Sequence, residues 1–286
     1  MHPVLLDIGV KLHSYGFMIA VGFLVAVFLI QRDAKQVGLN HQLIGEMAFW
    51  ALFWGIVGTR VLHVIMYPEG YSWSRPLGWF AVWNGGLVFQ GAIPASFTYA
   101  IIRLRHHKIP FWPVADIGLC YVPLAQAAGR IGCFLNGCCF GQRADDLPWA
   151  VCFPKDSPAY LAHADRYAEL SLTVDQWSCP VHPTQLYSAL GLVLICLTLV
   201  LIRKRKYLFV GIVMPLYFIF YGIVRFIVEI YRGDGNPRGW GMGELNNQQV
   251  ICILMIIAGA LLFAILYKRH EQPKASYALE EVDSKQ

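Results

Sequence analysis

Charge is what this chain has least of. Asp, Glu, Lys and Arg make up 14% of its 286 residues, while 57% are apolar. Soluble domains carry about 25% charged and roughly 45–50% apolar residues, so the composition excludes one. A mean hydropathy of +0.49 points instead to an integral membrane protein. A basic leader is lacking as well. The opening MHPVLLDIGVKLHS has no Lys/Arg cluster before its apolar run and no small-residue cleavage site after it, so the first span is expected to act as an uncleaved insertion signal. The net charge of +5 forms no continuous basic patch. Positive residues stand in short clusters at the ends of apolar stretches, which is a topology signal and argues against a nucleic-acid partner. Paired C-x-x-C and interleaved histidines are also lacking, so spacing marks no metal site and no metal or organic cofactor is expected. Apart from His182, the histidines (His2, His13, His41, His63, His106, His107, His163 and His270) share no pattern.

What the chain has is long apolar runs. Seven stretches meet the requirement of about 17–25 residues for a spanning helix: 12–30, 47–66, 83–102, 111–129, 185–202, 208–228 and 250–267. The expected fold is all-α, a single polytopic domain over 1–270 followed by a polar cytoplasmic tail over 271–286. The third stretch is interrupted by Gly85, Gly86, Gln90, Gly91 and Pro94. A broken helix at that depth is tolerated where it is buried in protein or lines a cavity, so this span is expected to start as a re-entrant segment. Thirteen Lys and Arg fall on one side of the spans and seven on the other, with Arg60, Arg130 and Arg225 at membrane depth. The richer side should be cytoplasmic. The N-terminus is then outside and the C-terminus inside, and residues 142–183 form an outer, periplasmic loop subdomain or lid.

The chain is organised around GRIGCFLNGCCFG, from Gly129 to Gly141, which follows the fourth span. Arg130 there is an ionisable group at the membrane edge and a functional candidate on that ground. Arg225 lies in FYGIVRFIVEIYRGD, with Glu229 and Arg232 on the same helical face. Two readings stand side by side. Arg225 and Glu229 could simply neutralise one another, or Arg225 and Arg130 could converge on an anionic headgroup, which a guanidinium meets bidentately. Arg60, in GTRVLHV, reads as structural. Cys120, Cys196 and Cys252 sit in apolar spans and read as small core residues. Cys133, Cys138, Cys139, Cys152 and Cys179 fall on the outer side, where one or two disulfides are expected to pin the loop to the core. His182, at the start of the fifth span, is a general base or a cap contact, with position favouring the cap.

Several stretches together resemble the prolipoprotein diacylglyceryl transferases of bacterial cytoplasmic membranes. SYGFMIAVGF, GTRVLHV, WNGGLVFQGA, ADIGL, GRIGCFLNG, HPTQLY and VRFIVEIYRGD occur in the family's order and span nearly the whole chain. The resemblance implies a multi-pass enzyme of the inner membrane. It would move the diacylglyceryl group of phosphatidylglycerol to the lipobox cysteine thiol of a prolipoprotein signal peptide, the first step of lipoprotein maturation. It places Arg130 on the lipid headgroup, and Tyr15, Asn136, Gly141, Arg225, Glu229 and Arg232 on matching motif positions.

Three positions depart from the family's pattern. Gln90 stands where a histidine is common, Cys133 where an asparagine is, and Cys138 where an acidic residue is. Glutamine takes no proton at neutral pH, so any general base would be Glu229 or His182, unless the acceptor thiol loses its proton to water. Two other classes remain open from the residues. One is a divergent lipid-binding paralogue, non-catalytic or with another acceptor. The other is a thiol redox protein built on Cys133, Cys138 and Cys139.

Overall fold

The computed structural model describes residues 4–7, 11–70, 79, 86, 88–166, 177–205, 209–233 and 245–271. A short antiparallel pair, β1 (Val4–Asp7) and β2 (Lys11–His13), precedes the helices. These follow as α1 (Ser14–Gln36), α2 (His41–Met66), α3 (Ala92–His106), α4 (Phe111–Asn136), α5 (Pro158–Arg166), α6 (Thr184–Arg203), α7 (Val213–Ile230) and α8 (Asn247–Glu271). Six of them, α1, α2, α4, α6, α7 and α8, are long and apolar enough to cross a membrane. The molecule is a multi-pass α-helical membrane protein.

The segment expected as the third span differs. Its helical part is α3, 15 residues long, or about 22 Å at 1.5 Å per residue, against a hydrocarbon core of about 30 Å. Most of the residues before it, 80–85 and 87, lie outside the described ones. The fourth span also runs further than hydropathy predicts. Expected to end at residue 129, α4 continues through Arg130 to Asn136. Gly129 and Gly132 do not stop it, because backbone groups at membrane depth have no water to turn to and stay in the helix.

Two compact units divide the chain, 1–26 with 118–286, and 27–117. In the smaller, α2 packs along α3. Gly55 faces Ser96 and Ala92, and Ser96 Oγ donates to the Ala51 carbonyl at 2.7 Å. Asn40 caps α2 by accepting the Leu43 amide at 3.1 Å. Ala34, Ile44 and Ile117 form its buried cluster.

In the larger unit, α6, α7 and α8 pack side by side through glycines. Gly191 abuts Val224, and Gly222 abuts Ile256 and the Cys252 carbonyl, the close approach that small residues allow when lipid supplies no hydrophobic drive. On α6, Ala189, Leu192, Cys196 and Leu199 are buried while Leu190, Leu194, Leu197 and Leu201 are exposed. Both faces are apolar, as expected of a helix bordered by protein on one side and lipid on the other. Beyond α4, Phe140, Phe153, Ala159 and Val181 form a separate small core, with Phe134 and Val151 against it. Within this loop α5 starts as its sequence dictates. Ser157 Oγ accepts the Tyr160 amide at 3.2 Å, and Pro158 takes the first helical position.

Candidate active site

The end of α4 builds the site. Gly137 has φ +72°. Its amide bonds the Phe134 carbonyl, and the Cys138 amide bonds the Cys133 carbonyl at 3.1 Å. This is a Schellman cap, in which a left-handed glycine lets the chain turn back over the last helical turn. The motif brings the residue just beyond the glycine against the third residue from the helix end. Here those residues are Cys138 and Cys133. Cys139 follows in the left-handed region at φ +59°, a conformation costing a non-glycine residue about 1 kcal/mol. The first turn of α6 holds it there. Thr184 Oγ1 donates to the Cys139 carbonyl at 2.9 Å and Gln185 Nε2 to the Cys138 carbonyl at 2.8 Å. As a result the sulfurs of Cys133, Cys138 and Cys139 lie within 4.8 Å of one another.

All eight cysteines are thiols. Hydrogen bonds from the Cys133 and Cys138 thiols hold the Cys139 thiol well below the ordinary range, and the nearby Arg232 and Arg130 charges add to this. The bridges Val151↔Val181 and Pro154↔Trp177 set Cys152 and Cys179 on facing backbone segments. Burial, with the neighbouring Cys179 and Asp145, pushes the Cys152 thiol up.

Arg130 projects from α4 seven residues before the cap, half-buried. Its charge acts on Tyr15, Cys139 and Arg225. Among the described residues its guanidinium has no hydrogen-bond acceptor. Tyr15, in the first turn of α1, packs on Gly132, where an added Cβ would come within 3.2 Å of the tyrosine ring. Asn136 ends α4, and its side chain hydrogen bonds the Cys138 thiol.

The other two intramembrane arginines are committed. Arg225 Nη1 lies 2.8 Å from Glu229 Oε2, with both side chains buried. Arg232 Nε stands 3.9 Å from the same oxygen, and Asn246 Nδ2 donates to Glu229 Oε1 at 3.2 Å. Glu229 thus has ion-pair partners at Oε2 and accepts a hydrogen bond at Oε1. In the smaller unit Arg60 Nε donates to the Trp79 carbonyl at 2.9 Å and Nη1 to the Gly86 carbonyl at 3.0 Å, a structural role. Gln90 belongs to that unit too, exposed in a 3₁₀ turn over Phe89–Gly91.

Gly141 lies at a backbone crossing. Its amide donates to the His182 carbonyl at 3.0 Å, the Gln142 amide to Tyr231 at 2.8 Å and the Gly233 amide to Phe140 at 3.2 Å. A Cβ on Gly141 would stand 2.5 Å from His182 Cβ. This crossing ties the end of α4 to the start of α6 and the end of α7. The His182 ring sits among tyrosines, Nδ1 3.4 Å from Tyr187 Oη and its centroid 5.1 Å from that of Tyr231. Tyr187 Oη in turn accepts from Trp149 Nε1 at 2.8 Å.

Sequence reading missed Asn246, Thr184 and Gln185 as site-forming residues. Asn246 was legible as a cap, since N-x-x-Q before an apolar run signals reciprocal capping. The structure has it, with Asn246 Oδ1 accepting the Gln249 amide at 2.8 Å and the Asn246 amide bonding Gln249 Oε1 at 3.0 Å. Its second bond, to Glu229, bridges two helices and has no local signature.

Fold and site together define a polytopic helical membrane protein in which an arginine with no acceptor among the described residues stands beside a buried Arg–Glu–Arg cluster. Residues 3–265 match the model of the prolipoprotein diacylglyceryl transferase family. The chain is 34% identical over 280 residues to the phosphatidylglycerol–prolipoprotein diacylglyceryl transferase of Serratia proteamaculans, covering 96% of each chain. It is 33% identical over 289 residues to that of Sodalis glossinidius, again covering 96% of each. With the transferase of Yersinia pestis it shares 33% over 277 residues, covering 94% of this chain and 95% of the relative. This chain belongs to the prolipoprotein diacylglyceryl transferase family.

Proposed function

We propose that the protein transfers the diacylglyceryl group of phosphatidylglycerol to the lipobox cysteine thiol of prolipoproteins, releasing glycerol phosphate. The observation that carries this reading is the contrast among the three membrane-depth arginines. Arg60 and Arg225 are occupied by protein acceptors, while Arg130 has none among the described residues. A guanidinium at that depth needs an anionic partner, and the phosphodiester of a lipid that enters laterally supplies one. Arg130 is the primary phosphate ligand. Arg225, oriented by Glu229, adds positive field, and Tyr15, Asn136 and Gly141 border the same site.

Chemistry follows from that placement. The acceptor thiolate attacks the glycerol carbon bearing the phosphate, a C–S bond forms, and the C–O bond breaks. Charge developing on the leaving phosphate is stabilised by the arginines. The polar Gln90 departs from the family's histidine, and Glu229 is engaged on both oxygens. His182, half-buried among tyrosines, is the remaining base candidate. In this reading the protein is in the bacterial inner membrane, N-terminus outside and C-terminus inside. Residues 83–102 complete a seventh crossing, and the 142–183 loop is periplasmic, where oxidation would join the Cys152 and Cys179 thiols in a disulfide.

The test is glycerol phosphate release by purified protein from phosphatidylglycerol and a synthetic lipobox peptide, for wild type, Arg130→Ala and Gln90→His. Release that requires the peptide thiol and is lost in Arg130→Ala supports the transferase. No release from wild type, with rescue by Gln90→His, would point to a paralogue that kept the site and lost the reaction.

A further inference from the structure

We propose that Cys133, Cys138 and Cys139 form a three-thiolate Zn²⁺ site whose fourth position receives the acceptor thiol. The three sulfurs already lie within 4.8 Å of one another. Tetrahedral Zn–S bonds of about 2.3 Å require sulfurs roughly 3.8 Å apart, so binding closes each gap by at most about 1 Å. The ligand backbone is built before metal arrives. The Schellman cap at Gly137 sets Cys138 against Cys133, and Thr184 and Gln185 hold the carbonyls of Cys139 and Cys138. Such outer contacts orient ligands in metal sites. The left-handed Cys139 is strain concentrated where three ligating groups meet, and strain of this kind clusters at functional sites.

Zn²⁺ fits this ligand set. Thiolates select soft or borderline ions, and catalytic zinc commonly keeps three protein ligands and one open position. Among the described residues no fourth His, Cys or carboxylate joins the group. Cys133 is buried, while Cys138 and Cys139 are half-buried, leaving a side open to a ligand. Three thiolates and Zn²⁺ carry one net negative charge, and Arg130 and Arg232 act electrostatically on Cys139.

The role of the fourth position rests on the transferase reading above. Coordination deprotonates a thiol outright, and the proton passes to water. The acceptor sulfur then attacks the glycerol carbon, the C–S bond forms, and the C–O electron pair leaves with the phosphate held by Arg130. Coordination would thereby generate the thiolate without a side-chain base, a task that Gln90, lacking an ionisable group, cannot perform and that would otherwise fall to His182.

Full-length protein in detergent is tested for zinc content and titrated with Co²⁺, whose thiolate charge-transfer and d–d bands report tetrahedral sulfur ligation. Wild type should bind one ion per chain, Cys138→Ser should lose it, and Cys152→Ser should keep it. A lipobox peptide with cysteine should shift the Co²⁺ bands, and its serine counterpart should not. Chelation of wild type, which needs no folded variant, should lower glycerol phosphate release at least about tenfold, with recovery on adding Zn²⁺. Absence of bound metal, bands indifferent to Cys138→Ser, or release insensitive to chelation would overturn the site and leave the transferase intact. Peptide-dependent bands without release from any form would support the thiol site and overturn the transferase reading.

Discussion

Asn246 joins two helices with one side chain. Its Oδ1 caps α8 by accepting the Gln249 amide at 2.8 Å, and its Nδ2 donates to Glu229 on α7 at 3.2 Å. The start of α8 is therefore coupled to the carboxylate that orients Arg225. Asn246→Ala should lose both bonds, lowering stability by about 1 kcal/mol through the cap alone, and should reduce turnover. Asn246→Asp keeps the capping oxygen but sets a second carboxylate against Glu229, so stability should fall less than its activity does. Thermal unfolding in detergent alongside initial rates separates the two effects.

The Arg225–Glu229 pair is buried, with side chains 10% and 0% exposed. Removing one partner leaves an uncompensated charge, and Glu229→Gln should cost about 3–5 kcal/mol. The double change Arg225→Met with Glu229→Leu should recover most of that stability without recovering transfer. Recovery of both would assign the pair to neutralisation alone.

Arg130 has no protein acceptor among the described residues, so Arg130→Lys should leave stability within about 0.5 kcal/mol. The lost bidentate contact should lower kcat/KM for phosphatidylglycerol by roughly one to two powers of ten, the equivalent of about 1.5–3 kcal/mol for a charged hydrogen bond. Near-normal transfer by this variant would remove Arg130 from the headgroup.

Gly141→Ala tests whether that glycine contacts substrate or only packs. The new Cβ would meet His182 Cβ at 2.5 Å and the Tyr231 carbonyl at 2.8 Å. The backbone crossing should open at a cost of about 1–3 kcal/mol, visible as a lower melting temperature without substrate. A loss of activity at unchanged melting temperature would instead favour direct substrate contact.

Cys152 and Cys179 face one another across the Val151↔Val181 and Pro154↔Trp177 bridges. Protein isolated from an oxidising compartment should yield a Cys152–Cys179 cross-linked peptide by mass spectrometry, with Cys133, Cys138 and Cys139 absent from any cross-link. Cross-links confined to the latter three would reverse the assignment.

Much of this protein was legible from its residues because each signal was local. Apolar length is a property of one segment, so the runs behind α1, α2, α4, α6, α7 and α8 stand out without knowledge of their neighbours. Ionisable groups in such runs are costly wherever they point, which marked Arg60, Arg130 and Arg225 alike. The ordered motifs carried the family. Sequence alone therefore determined a multi-pass membrane protein of this family and marked candidate positions for its chemistry. It could not distinguish the three arginines, because what separates them is the acceptor each meets: carbonyls for Arg60, Glu229 for Arg225, and no described residue for Arg130. Nor could it group Cys133 with Cys138 and Cys139, since residues five and six apart point away from one another on a continuing helix. The helix stops at Gly137, and the reversal of the chain there, clamped by Thr184 and Gln185 from a distant segment, brings the three sulfurs together. That convergence depends on backbone handedness and on α6 packing beside α4, and only the tertiary structure decided it.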